Sequence, residues 1–290
     1  MGIVQLSVVA PSVSSPIRIA VLSDVHGNRV AFDAALRRVR ELSPDLLVFG
    51  GDIVNGSPDS RDCWDMALGY DAPLLRGNHE RYIHQADRPD RPAEWALERF
   101  APVRWTAERF TPAERATMGE LPLLYRHPGL PEILFCHGSP RNDNDAILAH
   151  TPEPQLAEML AGMEEPLLIR GHNHAAQTRF WQGKMIVTCG SVGLPLDHFP
   201  TAQFLLLERR GGRWETLHQS VEYDLRAAAR RFEETGYLRD VGPVARLSLR
   251  EVMTASFHWV PFLKTYSKWS PDHSLPLGTA IERFLNEDTF

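Results

Sequence analysis

The chain has 290 residues, of which 31 are basic and 37 are acidic, so its formal charge at neutral pH is −6. This balance gives no overall attraction to a polyanion and disfavours binding to double-stranded DNA. No apolar run reaches the roughly 18 residues that a membrane helix needs, so we expect no membrane association. The three cysteines form no C-x-x-C pair, which argues against disulfides or a thiolate zinc site and favours a reducing cytoplasm.

The first half of the chain alternates between short apolar runs and segments with helical spacing. Residues 1–16 are Ser-rich and lack a basic start, so we expect a flexible leader rather than a signal peptide. Strands are predicted at 17–23, 45–49 and 73–75, and helices at 29–42 and 62–70. This alternation predicts βαβ units on a parallel sheet.

The second half contains a proline-rich helical stretch followed by closely spaced strands. Four prolines interrupt residues 88–119, so we predict a helical insertion made of several short helices. We therefore predict one α/β domain over residues 17–238 with a two-sheet core, and a partly helical C-terminal extension over 239–290. Within them, strands are predicted at 121–125, 132–136, 167–169, 178–181, 185–189, 203–208 and 214–219, and helices at 155–163, 224–234 and 277–285.

Polar segments rich in histidine, aspartate and asparagine follow five of the predicted strands. They read SDVHGN at 23–28, GGD at 50–52, GNHE at 77–80, FCHG at 135–138 and GHNH at 171–174. Each segment alone has an ordinary interpretation as a helix cap, a turn or a strand-end histidine. Their occurrence together favours one site, because binding sites in α/β sheets lie at strand ends.

The ligand types in these segments favour a pair of metal ions. Asp24 and His26 are two residues apart, so in an extended segment both side chains point to the same side. Seven nitrogen or oxygen ligands without a cysteine suit borderline divalent cations better than a structural zinc ion. Two such ions about 3.5–4 Å apart can orient a phosphate and activate water.

The five segments resemble the sequence blocks of the calcineurin-like metallophosphoesterase superfamily, over about residues 17–238. The likeness is greatest to its small bacterial and archaeal phosphodiesterases, whose pattern is also similar to GDIVNGSP, HGSP, GSVG and VEYD, which begin at residues 51, 137, 190 and 221. The resemblance implies an αββα fold, in which a two-sheet β-sandwich is flanked by helices.

The resemblance also implies a role for each matching residue. One metal ion would be bound by Asp24, His26 and His174, the other by Asn78, His137 and His172, and Asp52 would bridge them. His79 would be the uncoordinated catalytic histidine, which donates a hydrogen bond to the phosphate or a proton to the leaving oxygen. Glu80 could support His79, or could be an ordinary charge in the first turn of a helix.

Two departures from the family pattern concern the substrate. Asn173 replaces a threonine between the two histidines, which leaves both ligands intact. Leu194 and Leu196 stand where relatives tend to carry glutamine and arginine, which removes a polar substrate contact. The remaining candidates for phosphate contacts are Asn28, Arg81 and Arg141, each of which could also be an ordinary surface residue.

The implied activity is phosphoester hydrolysis by in-line attack of a metal-bridging hydroxide. Manganese is the favoured metal, with iron, zinc, cobalt and nickel as alternatives, and the substrate would be a small phosphoester or nucleotide. A phosphodiester is favoured by the resemblance alone, and a phosphomonoesterase or nucleotidase would use the same site.

A non-catalytic protein-binding scaffold on the same fold is the alternative from another functional class, but all seven ligands and His79 are retained. A nuclease would need a basic groove, which the acidic balance does not support.

The C-terminal extension contains the apolar sequence FHWVPFL at 257–263. Such a cluster is too apolar to remain exposed on a monomer. We expect it to pack on its own domain as a brace. There are two alternatives. The extension could form a lid over the active site, with Leu194 and Leu196 as its apolar partners, or it could contact another chain and form an oligomer.

Overall fold

The structure, a computed structural model, describes residues 17–272 and 274–287. The predicted leader at 1–16 therefore lies outside the described residues. The strands are β1 (Ile17–Leu22), β2 (Leu46–Phe49), β3 (Leu124–Tyr125), β4 (Ile133–Cys136), β5 (Leu167–Arg170), β6 (Gln177–Trp181), β7 (Lys184–Thr188), β8 (Ala202–Arg210) and β9 (Arg213–Val221). The helices are α1 (Arg29–Leu42), α2 (Ser60–Leu68), α3 (Asn78–Gln85), α4 (Ala101–Ala107), α5 (Pro112–Glu120), α6 (Glu153–Met159), α7 (Leu225–Glu234), α8 (Tyr237–Val241), α9 (Ala245–Thr254), α10 (Trp259–Trp269) and α11 (Leu277–Glu287).

The strands form two mixed sheets. The first has the order β2-β1-β8-β9 and the second the order β3-β4-β5-β7-β6. The parallel pairs are β1 with β2, β4 with β5, and β5 with β7, whereas the remaining pairs are antiparallel. The predicted strand at 73–75 is only a single bridge between Leu74 and Phe49. The two-sheet α/β fold with flanking helices is confirmed.

Strand alternation produces the layers, because successive side chains point to opposite faces of a sheet. Ile19 of β1 and Phe135 of β4 belong to one buried cluster between the sheets. Ala20 belongs instead to the cluster that contains Phe32 of α1, on the outer face of the first sheet. Cys136 lies in a third cluster with residues of α6, on the outer face of the second sheet. The order of layers is therefore helix, sheet, sheet, helix.

The insertion and the C-terminal helices share a core. The predicted insertion at 88–119 contains two short 3₁₀ segments (Ala93–Ala96 and Glu98–Phe100), α4 and most of α5. Trp105 of α4, Phe232 of α7 and Phe262 of α10 belong to one buried cluster. This cluster includes residues on both sides of position 238, where the family resemblance ends. None of the helices within the described part of the chain is long and apolar enough to cross a bilayer.

Candidate metal centre and substrate cleft

The polar segments converge because both sheets present parallel strands that end at the same place. The loops after β1 and β2 lie side by side, since the Asp24 N–H donates to the Gly51 carbonyl at 3.0 Å and the His26 N–H to the Asp52 carbonyl at 2.9 Å. In the second sheet, the loop after β5 joins the loop after β4 through a bond from the Gly171 N–H to the His137 carbonyl. Each sheet thus contributes a pair of linked loops to one site.

These loops hold five of the candidate ligands in a left-handed backbone conformation. Their φ angles are 58° at Asp24, 50° at His26, 53° at Asp52, 70° at His172 and 60° at His174. This conformation costs a residue other than glycine about 1–2 kcal/mol. The extended segment assumed for Asp24 and His26 is therefore not what brings them together. A turn in the backbone does so, and the hydrogen bonds between the loops maintain it.

The candidate ligands form two clusters that share Asp52. The ligand atoms of the first cluster, and likewise those of the second, all lie within 4.8 Å of one another. The first cluster contains Asp24, His26, Asp52 and His174, and the second contains Asp52, His137 and His172. The amide oxygen of Asn78 joins the second, 3.2 Å from His137 Nε2.

Within the clusters, nitrogen and oxygen atoms approach one another closely. His174 Nε2 lies 3.3 Å from Asp24 Oδ1 and 3.0 Å from His26 Nε2. In the second cluster, His137 Nε2 lies 3.2 Å from Asp52 Oδ2. The sequence-predicted ligands are thus all brought into one buried centre, and their assignment to two ions stays a prediction.

Three of the histidines use Nδ1 to bond a backbone carbonyl oxygen. Because a carbonyl only accepts, Nδ1 carries a proton and Nε2 faces the cluster, where its lone pair is available once that nitrogen is deprotonated. Nitrogen and oxygen donors arranged in this way fit borderline divalent metal ions. The bonds join His26 to Asn55, His137 to Gly50 and His174 to Leu194, at 2.8, 2.8 and 2.6 Å.

Burial and the shared carboxylate set the protonation states of the centre. Burial lowers the pKa of His26 well below its usual value and lowers the pKa of His172 to about 2, so both imidazoles are neutral. Burial also opposes protonation of His137, but the Asp52 carboxylate more than offsets this and raises the His137 pKa to about 9. A cation that binds here must therefore displace a proton from the His137 and Asp52 pair.

Glu80 holds the loop that carries Asp52. The Glu80 side chain is fully buried, and its carboxylate accepts hydrogen bonds from the N–H groups of Asp52, Ile53 and Gly77 at 2.7–2.9 Å. Glu80 lies in the first turn of α3, as one sequence interpretation had it, but its contacts are with this loop. A side chain at Gly77 would overlap the Asp52 carboxylate, so the close approach of the two loops requires glycine.

The His79 imidazole is oriented by Asn55, a residue for which the sequence analysis proposed no role. The Asn55 amide group donates to His79 Nδ1 at 2.8 Å, while its oxygen accepts from the Thr106 hydroxyl. His79 Nε2 therefore carries the proton and lies 4.0 Å from Asp52 Oδ2. Burial lowers the pKa of His79, and the other histidines of the centre add to this effect. The only sequence signal for Asn55 was its place in the GDIVNGSP segment.

The three candidate substrate contacts are engaged by other protein groups. Asn28 is buried, caps α1 through a bond from the Ala31 N–H, and donates to the Gly193 carbonyl at 2.9 Å. Two nitrogens of Arg81 bond the Asp143 carboxylate at 2.9–3.1 Å. Arg141 is half exposed and bonds Asp145 at 2.6 Å. Their role in binding phosphate stays a prediction.

A cavity of about 460 Å³ opens beside the metal centre. His26, His79 and His174 form the part of its lining that belongs to the centre. The rest of the lining comes from the insertion, the C-terminal helices, α3 and the loops after β2 and β7, and sequence reasoning reached the C-terminal helices only as the lid alternative. These residues are mainly apolar, and include Phe100, Pro102, Val103, Leu194, Leu196, Phe257, Trp259, Val260 and Leu263.

Comparison with known proteins agrees with this geometry. The family model for calcineurin-like phosphoesterases matches residues 17–176. A metallophosphoesterase structure from Sphaerobacter thermophilus is 25% identical, with 81% of this chain and 99% of that one covered and a TM-score of 0.64. A hypothetical protein from Pyrococcus horikoshii OT3 is 20% identical, with 83% and 99% covered and a TM-score of 0.66. The search of curated proteins finds no match.

The family match covers more than half of the chain and ends before β6. It includes every residue of the two ligand clusters, from Asp24 to His174. The resemblance seen in the sequence blocks is thereby confirmed, and the chain belongs to the calcineurin-like phosphoesterase family.

Proposed function

We propose that this protein is a phosphodiesterase that hydrolyses a small phosphoester with the help of two divalent metal ions. Family membership supports the hydrolysis of a phosphoester. The observation that carries the proposal is the pair of ligand clusters that share one carboxylate, Asp52. A carboxylate has two oxygens, so a single side chain can serve two ions.

The two clusters and the family resemblance support the following assignment of ligands to the two ions. Asp24, His26 and His174 would bind one, Asn78, His137 and His172 would bind the other, and Asp52 would bind both. We propose manganese, while iron, zinc, cobalt and nickel accept similar nitrogen and oxygen donors. When bound, such a pair activates a water molecule and stabilises charge on the phosphate oxygens.

His79 is proposed to assist the leaving group. Its Nε2–H faces the centre because Asn55 binds the other ring nitrogen. A neutral imidazole can donate this hydrogen bond to the phosphate or to the leaving oxygen as the ester bond breaks. Transfer of the proton itself would require the imidazolium form, because a neutral ring that lost this proton would become an imidazolate. General acid catalysis by the imidazolium form contributes roughly 10²–10⁴-fold to a rate.

The charges around the cavity support a diester over a monoester. A phosphomonoester has a second pKa near 6, so it carries close to two negative charges at neutral pH, whereas a diester carries one. Among the described residues that line the cavity, Arg99 is the only arginine or lysine. Arg81 and Arg141 are already paired with Asp143 and Asp145. A singly charged substrate therefore matches this lining better.

The proposal is tested by assaying bis(p-nitrophenyl) phosphate and p-nitrophenyl phosphate with Mn²⁺, Mg²⁺, Ni²⁺ or Zn²⁺. We expect the diester to be hydrolysed faster. In the Asp52→Asn variant, metal content and activity should fall together, because a neutral amide holds two cations poorly. An active Asp52→Asn protein that keeps two tightly bound ions would contradict the assignment, and a metal-loaded wild type without turnover would favour the scaffold interpretation.

His79 is tested separately from metal binding. His79→Ala should retain both ions and lose mainly kcat, and the loss should be smaller for leaving groups that need little protonation, such as p-nitrophenolate. His84→Ala is the matched control, because His84 lies on the same helix but bonds the Arg115 carbonyl. If His79→Ala and His84→Ala have equal kcat values on an alkyl ester, His79 has no part in the reaction.

A further inference from the structure

The cavity beside the metal centre has an aromatic lining that begins at the centre itself. The Tyr82 ring lies 5.3 Å from the His79 ring and 5.5 Å from Trp95, centroid to centroid. Trp95, which is not itself a lining residue, in turn stacks on the lining residue Phe100 at 5.6 Å. Further along the lining, Phe257 is half exposed. A group attached to a phosphate at the centre would thus meet aromatic and aliphatic surfaces.

Several polar side chains of this lining are already bonded within the protein. Ser248 accepts from the Trp259 indole N–H at 3.0 Å, and Glu251 accepts from two backbone N–H groups at the start of α10. The Tyr82 hydroxyl donates to Asn144 at 3.2 Å. The Asn55 amide is committed to His79 and Thr106, as described above. A nucleobase or sugar placed here would lose hydrogen bonds to water and regain few of them.

Arg99, the only arginine or lysine among the described residues of the lining, does not favour a polyphosphate chain. The Arg99 guanidinium lies over the Phe100 ring, 5.3 Å from its centroid. One stacked guanidinium cannot neutralise several phosphate groups. Leu194 and Leu196 line the same cavity and add apolar surface rather than charge.

From these contacts we infer the substrate class: a phosphodiester whose non-leaving ester group is apolar and at least as large as an aryl ring, held in the cavity between α3, the insertion and the start of α10. This inference rests on the proposed function and adds the identity of the second ester group. The volume of about 460 Å³ falls within the usual range for small-molecule sites and exceeds what a methyl ester would fill.

The test uses three diesters with the same p-nitrophenyl leaving group and a methyl, phenyl or thymidine-5′ group as the second ester. With Mn²⁺, kcat/KM for the phenyl ester should exceed that for the methyl ester by about 10-fold or more, since burial of an aryl group favours binding by that order. The thymidine ester should be no better than the methyl ester. Calorimetric titration with diphenyl and dimethyl phosphate gives a binding comparison that does not depend on turnover, and diphenyl phosphate should bind more tightly.

A matched pair of variants assigns the preference to the cavity. Phe257→Ser should reduce the phenyl-to-methyl ratio of kcat/KM about 5-fold or more. Phe180→Ser should leave it unchanged, because Phe180 is an exposed phenylalanine on β6 outside the cavity lining. Equal rates for the phenyl and methyl esters, or a preference for the thymidine ester, would overturn the inference and leave the proposed function intact. If none of the diesters is hydrolysed with any metal, the proposed function itself fails.

Discussion

At the scale of single residues, the position of Asp52 depends on groups that are not ligands. The backbone N–H of His79 donates to Asp52 Oδ1 at 2.8 Å, and the Glu80 carboxylate accepts from the backbone N–H of Asp52. These two consecutive residues of α3 therefore fix both the side chain and the backbone of the shared carboxylate. A buried N–H group without an acceptor costs about 1–3 kcal/mol, so Glu80 is expected to matter for both stability and metal binding.

We predict that Glu80→Ala lowers the free energy of unfolding by about 3 kcal/mol or more, because at least three buried N–H groups lose their acceptor. The ions should also be retained less tightly. Urea unfolding and metal analysis test this, with Glu114→Ala as control. Glu114 occupies the equivalent place in the capping box of α5 but is partly exposed, so its loss should cost no more than about 1 kcal/mol. Equal costs would show that Glu80 is only a helix cap.

The residue types of the centre could be predicted from sequence, but their contacts could not. Asp24, His26 and Asp52 stand out because they follow apolar strands. Nothing in their sequence indicates a left-handed backbone, which arises from bonds between two loops that are distant along the chain. For the same reason Glu80 could be seen only as a support for His79 or as a helix charge, since most of its partners belong to the loop after β2.

At the scale of elements, the junction between α9 and α10 depends on one buried carboxylate. Glu251 is only 5% exposed, and its Oε1 accepts from the N–H groups of His258 and Trp259 at 2.8 Å. Burial raises the pKa of Glu251 to about 7, although these bonds and His258 oppose the shift. The junction also forms part of the cavity lining, so its stability bears on the proposed substrate site.

This pKa predicts a pH dependence of stability. Below about pH 4.5, Glu251 is protonated in both the folded and the unfolded chain. Between about pH 4.5 and 7 the folded chain binds more protons, so the contribution of Glu251 to stability is lost as the pH rises, by on the order of 3 kcal/mol. Glu251→Gln keeps an acceptor but cannot titrate. The free energy of unfolding of the wild type, minus that of the variant, should therefore fall over this range, and parallel curves would contradict the prediction.

The bounds of elements in which apolar residues recur at a regular spacing were predicted to within a few residues. The bounds of elements interrupted by glycine or proline were not. β1 and α1 match their predicted bounds closely because apolar residues recur regularly in both. The helices α8, α9 and α10 were missed, since Gly242 and Pro243 separate the first two and Pro261 lies inside the third. Pro261 is tolerated because it falls in the first turn of α10, where its missing N–H has no partner in the helix.

At the scale of the whole molecule, the candidate metal centre lies where the loops of the two sheets meet. Asp24, His26 and Asp52 follow strands of the first sheet, whereas His137 and His172 follow strands of the second. Ions bound by both sets would link the two layers directly. Because the ligands come together only in the folded chain, metal binding adds to the stability of the whole fold.

We therefore predict that Mn²⁺ raises the melting temperature of chelator-treated protein. At a free metal concentration 100 times Kd, the stabilisation is about 2.7 kcal/mol, which corresponds to about 5 °C or more for a protein of this size. Differential scanning fluorimetry measures the shift. Asp52→Asn should respond much less, because it lacks the shared ligand, and an equal shift in this variant would show that Mn²⁺ stabilises the fold elsewhere.

The sequence predicted the two-sheet domain, but not how the C-terminal extension completes it. Phe262 packs in one cluster with Trp105 of the insertion, while Phe257, five residues earlier, lines the cavity. The extension thus contributes both to the core and to the cleft, the two places proposed for it as alternatives. Contacts between segments so far apart in the chain leave no periodic pattern in either segment. The packing of Phe262 and the place of Phe257 in the cavity could therefore not be predicted from the sequence.

The left-handed backbone of the candidate ligand residues has a consequence for how such a fold could evolve. Glycine adopts this conformation without the steric penalty that Asp24, His26, Asp52, His172 and His174 carry. A mutation to glycine at one of these positions would delete a ligand and relieve strain in the same step. The relief of strain would offset part of the cost of the lost hydrogen bonds and of the lost metal binding. The architecture could therefore outlive its chemistry at a smaller loss of stability than the burial of these side chains alone suggests.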